Sequence, residues 1–216
     1  TRALVDAAET QLVNSMSAAV TTIKEDIVGL EIAAVPANDN ACVQLQLANG
    51  AEVGKCGCRV SQCVPGSLVA DAMRSFAGAD FAVTNGGAIA TGLPAGEITA
   101  EHVHAMLPFL DTVTRFDNVK GSTVKEMLTN SISMLIDPAV TTNPDGRYLQ
   151  ISKGIRFDWH LDQGKAILGA VDVQVCRNSR DLECTDESEY ASIVDDDVYT
   201  IAVNGFIANG GDQYSM

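Results

Sequence analysis

Two apolar runs in this chain each end in the same polar turn. Phe81-Ala82-Val83-Thr84 runs into Asn85-Gly86-Gly87, and Phe206-Ile207-Ala208 into Asn209-Gly210-Gly211-Asp212. A glycine pair after a buried segment lets the backbone take positive φ and come close to a ligand. The amide of Asn85 and the carboxylate of Asp212 are then placed to supply the few polar groups that orient a small molecule in a mostly apolar pocket. Taken alone, Asn-Gly-Gly is also ordinary turn chemistry. Two aromatics stand beside turn motifs, Phe109 and Phe206, in a chain that is only 5% aromatic. Such rings either stack on a planar ligand or pack in the core. Arg59 follows Cys58 directly in a chain of net charge −14. Its planar fork suits an anion such as phosphate, the alternative being a plain surface residue.

The cysteines fall as Cys42, Cys56, Cys58, Cys63, Cys176 and Cys184. Pairing them in order, 42 with 56, 58 with 63 and 176 with 184, closes three short loops. Zinc is the competing reading, but only Cys58 and Cys63 have a spacing that zinc motifs tolerate, and the histidines lie elsewhere. His102 and His104 sit two apart on an expected helix and point to different faces, so they make no joint metal site. Disulfides are the preferred reading, and they place the protein in an oxidising compartment: secreted, periplasmic or at the cell surface. The acidic balance argues against nucleic acid and anionic membrane surfaces. Much of the acid lies late, in 181–189 and 195–197. The first of these reads as a solvated loop, with a spacing that fits no regular calcium motif.

The elements that must position these residues follow from periodicity. Val5, Ala8, Leu12, Met16, Ala19, Ile23 and Ile27 recur at helical steps and predict a long amphipathic helix ending at Gly29. Residues 30–35 read as a strand. Val43, Leu45 and Leu47 alternate up to Asn49-Gly50, a hairpin signal with Cys42 and Cys56 placed to staple its arms. A helix is expected over 66–76 and a buried strand over 80–84. Thr99 is the expected N-cap of a helix through Met106, and Ser122 of one through about Leu135. Strands are expected over 149–159 and 166–175, joined near Asp162-Gln163-Gly164, with a last one over 198–203. No run is long enough for a membrane span. Without a βαβ rhythm or a repeat, the pattern gives an α+β fold built as a mixed-sheet sandwich. With 46% hydrophobic residues, the 216-residue chain can bury one good core, preceded by an N-terminal extension.

The order of blocks carries a resemblance. Asn85-Gly86-Gly87-Ala88-Ile89 is followed by Leu93-Pro94-Ala95-Gly96-Glu97-Ile98-Thr99, then Met106-Leu107-Pro108-Phe109, then Lys120-Gly121-Ser122-Thr123-Val124-Lys125, and the chain closes on 206–212. From about Cys58 to Met216 this resembles the C-terminal, substrate-binding domain of the 5′-nucleotidase family. The resemblance implies a domain over 30–216 and, over 1–29, a helix of the kind that links it to a metal-bearing domain. It implies that Phe109 and Phe206 clamp a nucleobase, with Asn85 and Gly87 at the turn beside it. By the same resemblance Asp212 holds the ribose hydroxyls and Arg59 faces the phosphate.

Two departures matter. Where the family pattern reads Asn-Gly-Gly-Gly-Ile-Arg, this chain has Ala88 and Ala90, so a second phosphate-binding arginine is missing. Losing that charged fork removes roughly 1.5–3 kcal/mol of interaction. The chain also has no Asp-x-His near its start and no Gly-Asn-His-Asp, whereas this family's phosphate-ester hydrolysis needs a two-metal centre. The expectation is a nucleoside- or nucleotide-recognising domain of a secreted 5′-nucleotidase-like protein, with no catalytic or metal-ligating residue of its own. Its two divalent metals would belong to a metallophosphoesterase domain outside this chain, and the chain alone is expected to be inactive. The alternatives are a stand-alone binding module whose phosphate recognition has decayed, and a structural protein that keeps the fold.

Overall fold

The structure, a computed structural model, describes residues 19–23, 43–46, 52–55, 57–94, 96–134, 146–162, 165–176, 184 and 189–215. In chain order the elements are β1 (Ala19–Ile23), β2 (Val43–Gln46), β3 (Glu52–Lys55), α1 (Val64–Ala77), β4 (Phe81–Asn85), β5 (Gly96–Thr99) and α2 (Ala100–Met106). There follow β6 (Val113–Lys120), α3 (Gly121–Ile132), β7 (Leu149–Ile151), β8 (Ile155–Asp162), β9 (Lys165–Cys176), β10 (Tyr190–Ser192), β11 (Val198–Asn204) and the single turn α4 (Gly205–Ala208).

A four-stranded sheet of order β6-β11-β4-β7 organises the fold, with β4 and β11 parallel at its centre and antiparallel strands outside them. A central parallel pair is covered on both faces, which is why 81–83 and 201–203 read as unbroken apolar runs. Their side chains still alternate. Phe81, Val83, Ile201 and Val203 enter the main core with Val124, Met127 and Leu128 of α3 and Val173 and Val175 of β9. Ala82 and Ala202 turn the other way, onto Met73 of α1; their small side chains let the helix sit close. Asp80 locks the register, its Oδ2 accepting from both the backbone N–H and the hydroxyl of Thr200 at 2.7 and 2.9 Å. A second, antiparallel sheet of order β10-β9-β8 shares the same core.

The α+β, mixed-sheet architecture is therefore the one the sequence predicts, and the β2–β3 hairpin forms where Asn49-Gly50 signals it. Several elements differ. Within the span expected to be helical, Ala19–Ile23 is a strand paired antiparallel with β5. Val20-Thr21-Thr22-Ile23 is a run of four β-branched residues, and that preference overrides the helical spacing around it. The rest of 1–29, the boundary at residue 29, the strand over 30–35 and the Cys42–Cys56 pair lie outside the described residues.

Helix α3 begins at Gly121 and ends at Ile132, with Lys120 rather than Ser122 at the capping position. The orphan N–H groups of Gly121 and Ser122 are taken up instead by the carbonyls of Asp197 and Asp195, at 2.9 and 3.1 Å. The single strand expected over 149–159 is two, because the chain turns at Lys153 and Gly154, the latter at φ of +95°, just after the Ser152 N–H makes its last backbone bond to β4, to the Ala82 carbonyl at 2.9 Å. The Ser152 hydroxyl accepts from the N–H of Ala82, and Asp71 accepts from the N–H of Lys153. Thr99 does cap α2, in a reciprocal box with His102, whose Nδ1 accepts from the Thr99 N–H at 3.2 Å. Strands β5, β6 and β10 are additions to the sequence reading. No helix among the described residues is long and apolar enough to cross a membrane.

Candidate functional site

Strands β4 and β11 end side by side, each in Asn-Gly: Asn85-Gly86 and Asn204-Gly205. In α/β sheets the crevice beyond the carboxyl ends of parallel strands is where ligands bind. A cleft of about 680 Å³ opens there, within the usual range for small-molecule sites. Arg59, Asn85, Gly87, Phe109, Phe206 and Asp212 all line it. These residues come from distant parts of the sequence, and the strand pairing brings them together.

Each segment is held by identifiable bonds. Asn85 and Asn204 are both buried, and the Nδ2 of Asn204 donates to the Oδ1 of Asn85 at 2.9 Å. Gly86 turns the chain under the 58–63 loop: a Cβ there would fall 1.8 Å from the carbonyl oxygen of Cys58, so no larger residue fits. The Gly86 and Gly87 N–H groups donate to the carbonyls of Tyr148 and Gly146 at 2.7 and 2.9 Å.

Arg59 sits in the loop closed by the Cys58–Cys63 disulfide. That loop is sewn to β7. The wholly buried Gln150 donates to the carbonyls of Cys58 and Ser61, both at 2.7 Å, and accepts from the Cys63 N–H at 2.8 Å. Cys63 Sγ in turn accepts from Gly66 N–H at 3.2 Å and caps α1. One loop thus fixes the arginine and the start of the helix together. The Cys176–Cys184 disulfide forms as well, at the end of β9.

The two phenylalanines are surface rings, not core. Phe109 is 69% exposed and Phe206 46%. Neither ring is packed in the core, so core packing does not account for them, and unlike the still more exposed Phe76 both line the cleft. Phe206 rests against Gly211, where a Cβ would come within 2.4 Å of its ring. Its backbone is anchored by Asp111, whose two carboxylate oxygens accept from the N–H groups of Phe206 and Thr112, each at 2.9 Å. Asp212 has φ of +51°, and its carbonyl accepts from Asn130 Nδ2 at 2.9 Å. The same asparagine's Oδ1 accepts from Arg147 at 3.2 Å, and the Arg147 carbonyl accepts from the Tyr214 hydroxyl at 2.6 Å.

Two residues that the sequence reading passed over belong here. Asp111 is the anchor just named. Asn204 is 5% exposed, and its Oδ1 has no hydrogen-bond partner among the described residues, an unmet acceptor of the kind that costs about 1–3 kcal/mol. The Asn-Gly dipeptide at 204–205 was the available signal. Ala90 is not part of the cleft wall; its N–H donates to the carbonyl of Met106 and ties the turn to α2. Among the described residues no three His, Cys, Asp or Glu side chains converge as a metal site needs. No step through a metal is assigned to them.

The sequence profile of the 5′-nucleotidase C-terminal domain matches residues 9–216. The chain belongs to that family. Human 5′-nucleotidase is 30% identical over 176 residues, covering 74% of this chain and 28% of that protein. The trifunctional nucleotide phosphoesterase YfkN of Bacillus subtilis is 32% identical over 158 residues, 70% of this chain and 9% of that protein. The crystal structure of a 5′-nucleotidase precursor from Thermus thermophilus superposes with a TM-score of 0.68 at 26% identity, covering 99% of this chain and 34% of the other. The NAD nucleotidase of Haemophilus influenzae shares the fold, at a TM-score of 0.66 and 20% identity. The 5′-nucleotidase C-terminal domain described here therefore spans about a third or less of the relatives it matches.

Proposed function

We propose that this domain recognises a nucleoside or nucleotide in the cleft beyond β4 and β11. The base stacks between Phe109 and Phe206, Asn85 meets the base edge beside Gly87, Asp212 accepts from the ribose hydroxyls, and Arg59 faces the phosphate. The observation that carries the reading is the convergence of these residues, with two exposed phenylalanines, on one cleft at the end of the central parallel strands. A carboxylate suits vicinal hydroxyls because it accepts without donating. A single arginine, with Ala90 in place of a second, makes the phosphate the weaker part of the recognition.

Metal-dependent hydrolysis of the bound nucleotide belongs, in this reading, to a metallophosphoesterase domain acting beside this one. The two disulfides among the described residues support a secreted, periplasmic or cell-surface location. Titration calorimetry of the chain with adenosine tests the central claim. Saturable binding that is weakened by Phe206→Ala is expected; no heat at millimolar adenosine overturns the reading.

A further inference from the structure

Gly210, Asp212 and Gln213 all have positive φ, at +83°, +51° and +64°. Glycine takes that region freely. Residues with side chains do not, and two in succession stay there only where the surrounding structure imposes it. Asp212 lines the cleft and Gln213 does not, so the strain falls on the stretch of backbone that carries a cleft carboxylate. Asn130, in the last turn of α3, supplies the constraint. Its Nδ2 donates at 2.9 Å to the Asp212 carbonyl, which belongs to the peptide joining the two strained residues.

The Asn130 side chain is itself locked. Arg147 donates to its Oδ1 at 3.2 Å. A guanidinium only donates and a carbonyl only accepts, so a single orientation of the amide serves both neighbours. Arg147 is buried and also donates to the Ser133 hydroxyl at 3.3 Å. Its main chain is pinned as well: its carbonyl accepts from the Tyr214 hydroxyl, and the carbonyl before it, of Gly146, accepts from the N–H of Gly87. Neither Asn130 nor Arg147 lines the cleft. A chain of bonds outside the cleft thus runs from the Gly87 turn to the backbone of Asp212.

We propose that Asn130 is a positioning residue for sugar recognition. It touches no ligand, but it holds the Asp212–Gln213 peptide in its left-handed turn and so sets the cleft's preference for a ribose bearing both vicinal hydroxyls. Without the Nδ2 donor the peptide turns over to an unstrained conformation, and the carboxylate leaves the place where two hydroxyls meet it. This inference rests on the nucleoside reading of the cleft and names the residue that enforces its choice of sugar.

Calorimetry with adenosine and 2′,3′-dideoxyadenosine tests it, since the two differ only in the hydroxyls that Asp212 would accept from. The parent should favour adenosine by roughly tenfold or more, as for hydrogen bonds to a charged acceptor. Asn130→Asp keeps the acceptor that Arg147 uses and lacks the donor; Asn130→Leu keeps the approximate shape and lacks both. In each variant the ratio should fall to within about threefold of one, with dideoxyadenosine binding as it was. Adding Asp212→Ala to either variant should change the ratio no further, because the two substitutions act on one interaction. A parent ratio that survives in both Asn130 variants overturns the inference. So does a loss shared equally by the two ligands, which is what a general loosening of the fold produces. Equal binding of both ligands by the parent removes the Asp212 contact and this inference while leaving the base stack. Failure of the parent to bind either overturns the nucleoside reading and this inference together.

Discussion

The side-chain amide of Asn204 donates to the Oδ1 of Asn85 across the ends of two parallel strands, at 2.9 Å. This bond joins the two halves of the cleft: one strand leads into the turn at Gly87, the other into the turn that carries Phe206 and Asp212. It also fixes the Asn85 amide in orientation, as the proposed contact with a base edge requires.

Phe206→Ala should weaken adenosine binding roughly five- to a hundredfold, the value of one base–aromatic stack. Phe109→Ala should fall in the same range. Both rings are exposed, so melting temperatures of the two variants should stay close to that of the parent, and calorimetry then reads binding alone.

Gly211→Ala tests the seat of one ring rather than the ring itself. The added Cβ would meet the Phe206 ring at 2.4 Å and must displace it. Adenosine affinity of this variant should lie between those of the parent and Phe206→Ala; affinity equal to the parent's would show that the seat is unimportant.

AMP should bind little better than adenosine, because in the proposed mode Arg59 alone faces the phosphate and position 90 is an alanine. Ala90→Arg should favour AMP by roughly tenfold or more and leave adenosine unchanged. Competition between the two ligands on the parent and the variant gives the ratio directly.

How much of this was legible in the sequence depends on what each residue answers to. Strand β4 was readable because a strand buried on both faces writes a continuous apolar run. Strand β6 was not: Val113, Arg115 and Asp117 are exposed and Asn118 breaks the register at φ of +61°, so its identity comes from pairing with β11 and not from its own pattern. The β1 segment was misread because helical spacing over a longer window masked a short β-branched run. At the site, the glycine turns and the two phenylalanines were visible as types beside turns. Asp111 and Asn204 were not singled out, since one acts through a backbone N–H far away in sequence and the other closes an apolar run.

Removing the Cys58–Cys63 bridge by the double Cys→Ser substitution should lower stability by about 2 kcal/mol, as for a loop this short. Urea unfolding measures that. Adenosine binding should weaken as well, because Gly86 turns directly beneath the Cys58 carbonyl.

Tyr148 gives the fold an alkaline limit. It lies buried with Val60 and Ile132, and burial lifts its phenol above the ordinary value near 10. The fold prefers the neutral phenol, so this contribution is complete below about pH 10 and is lost as pH climbs from there through the raised value. Tyr148→Phe should flatten the fall in urea-measured stability above about pH 10; an unchanged fall would assign it to other groups.

The pairing of β4 with β11 reaches across 120 residues, from Asp80 to Thr200. During synthesis, then, β4 and β6 leave the ribosome long before the strand that must lie between them. Until β11 arrives, both present bare edges that any other extended segment can join. Assembly of the cleft and escape from aggregation are thus settled by the same late event, and a chain cut before residue 204 loses both at once.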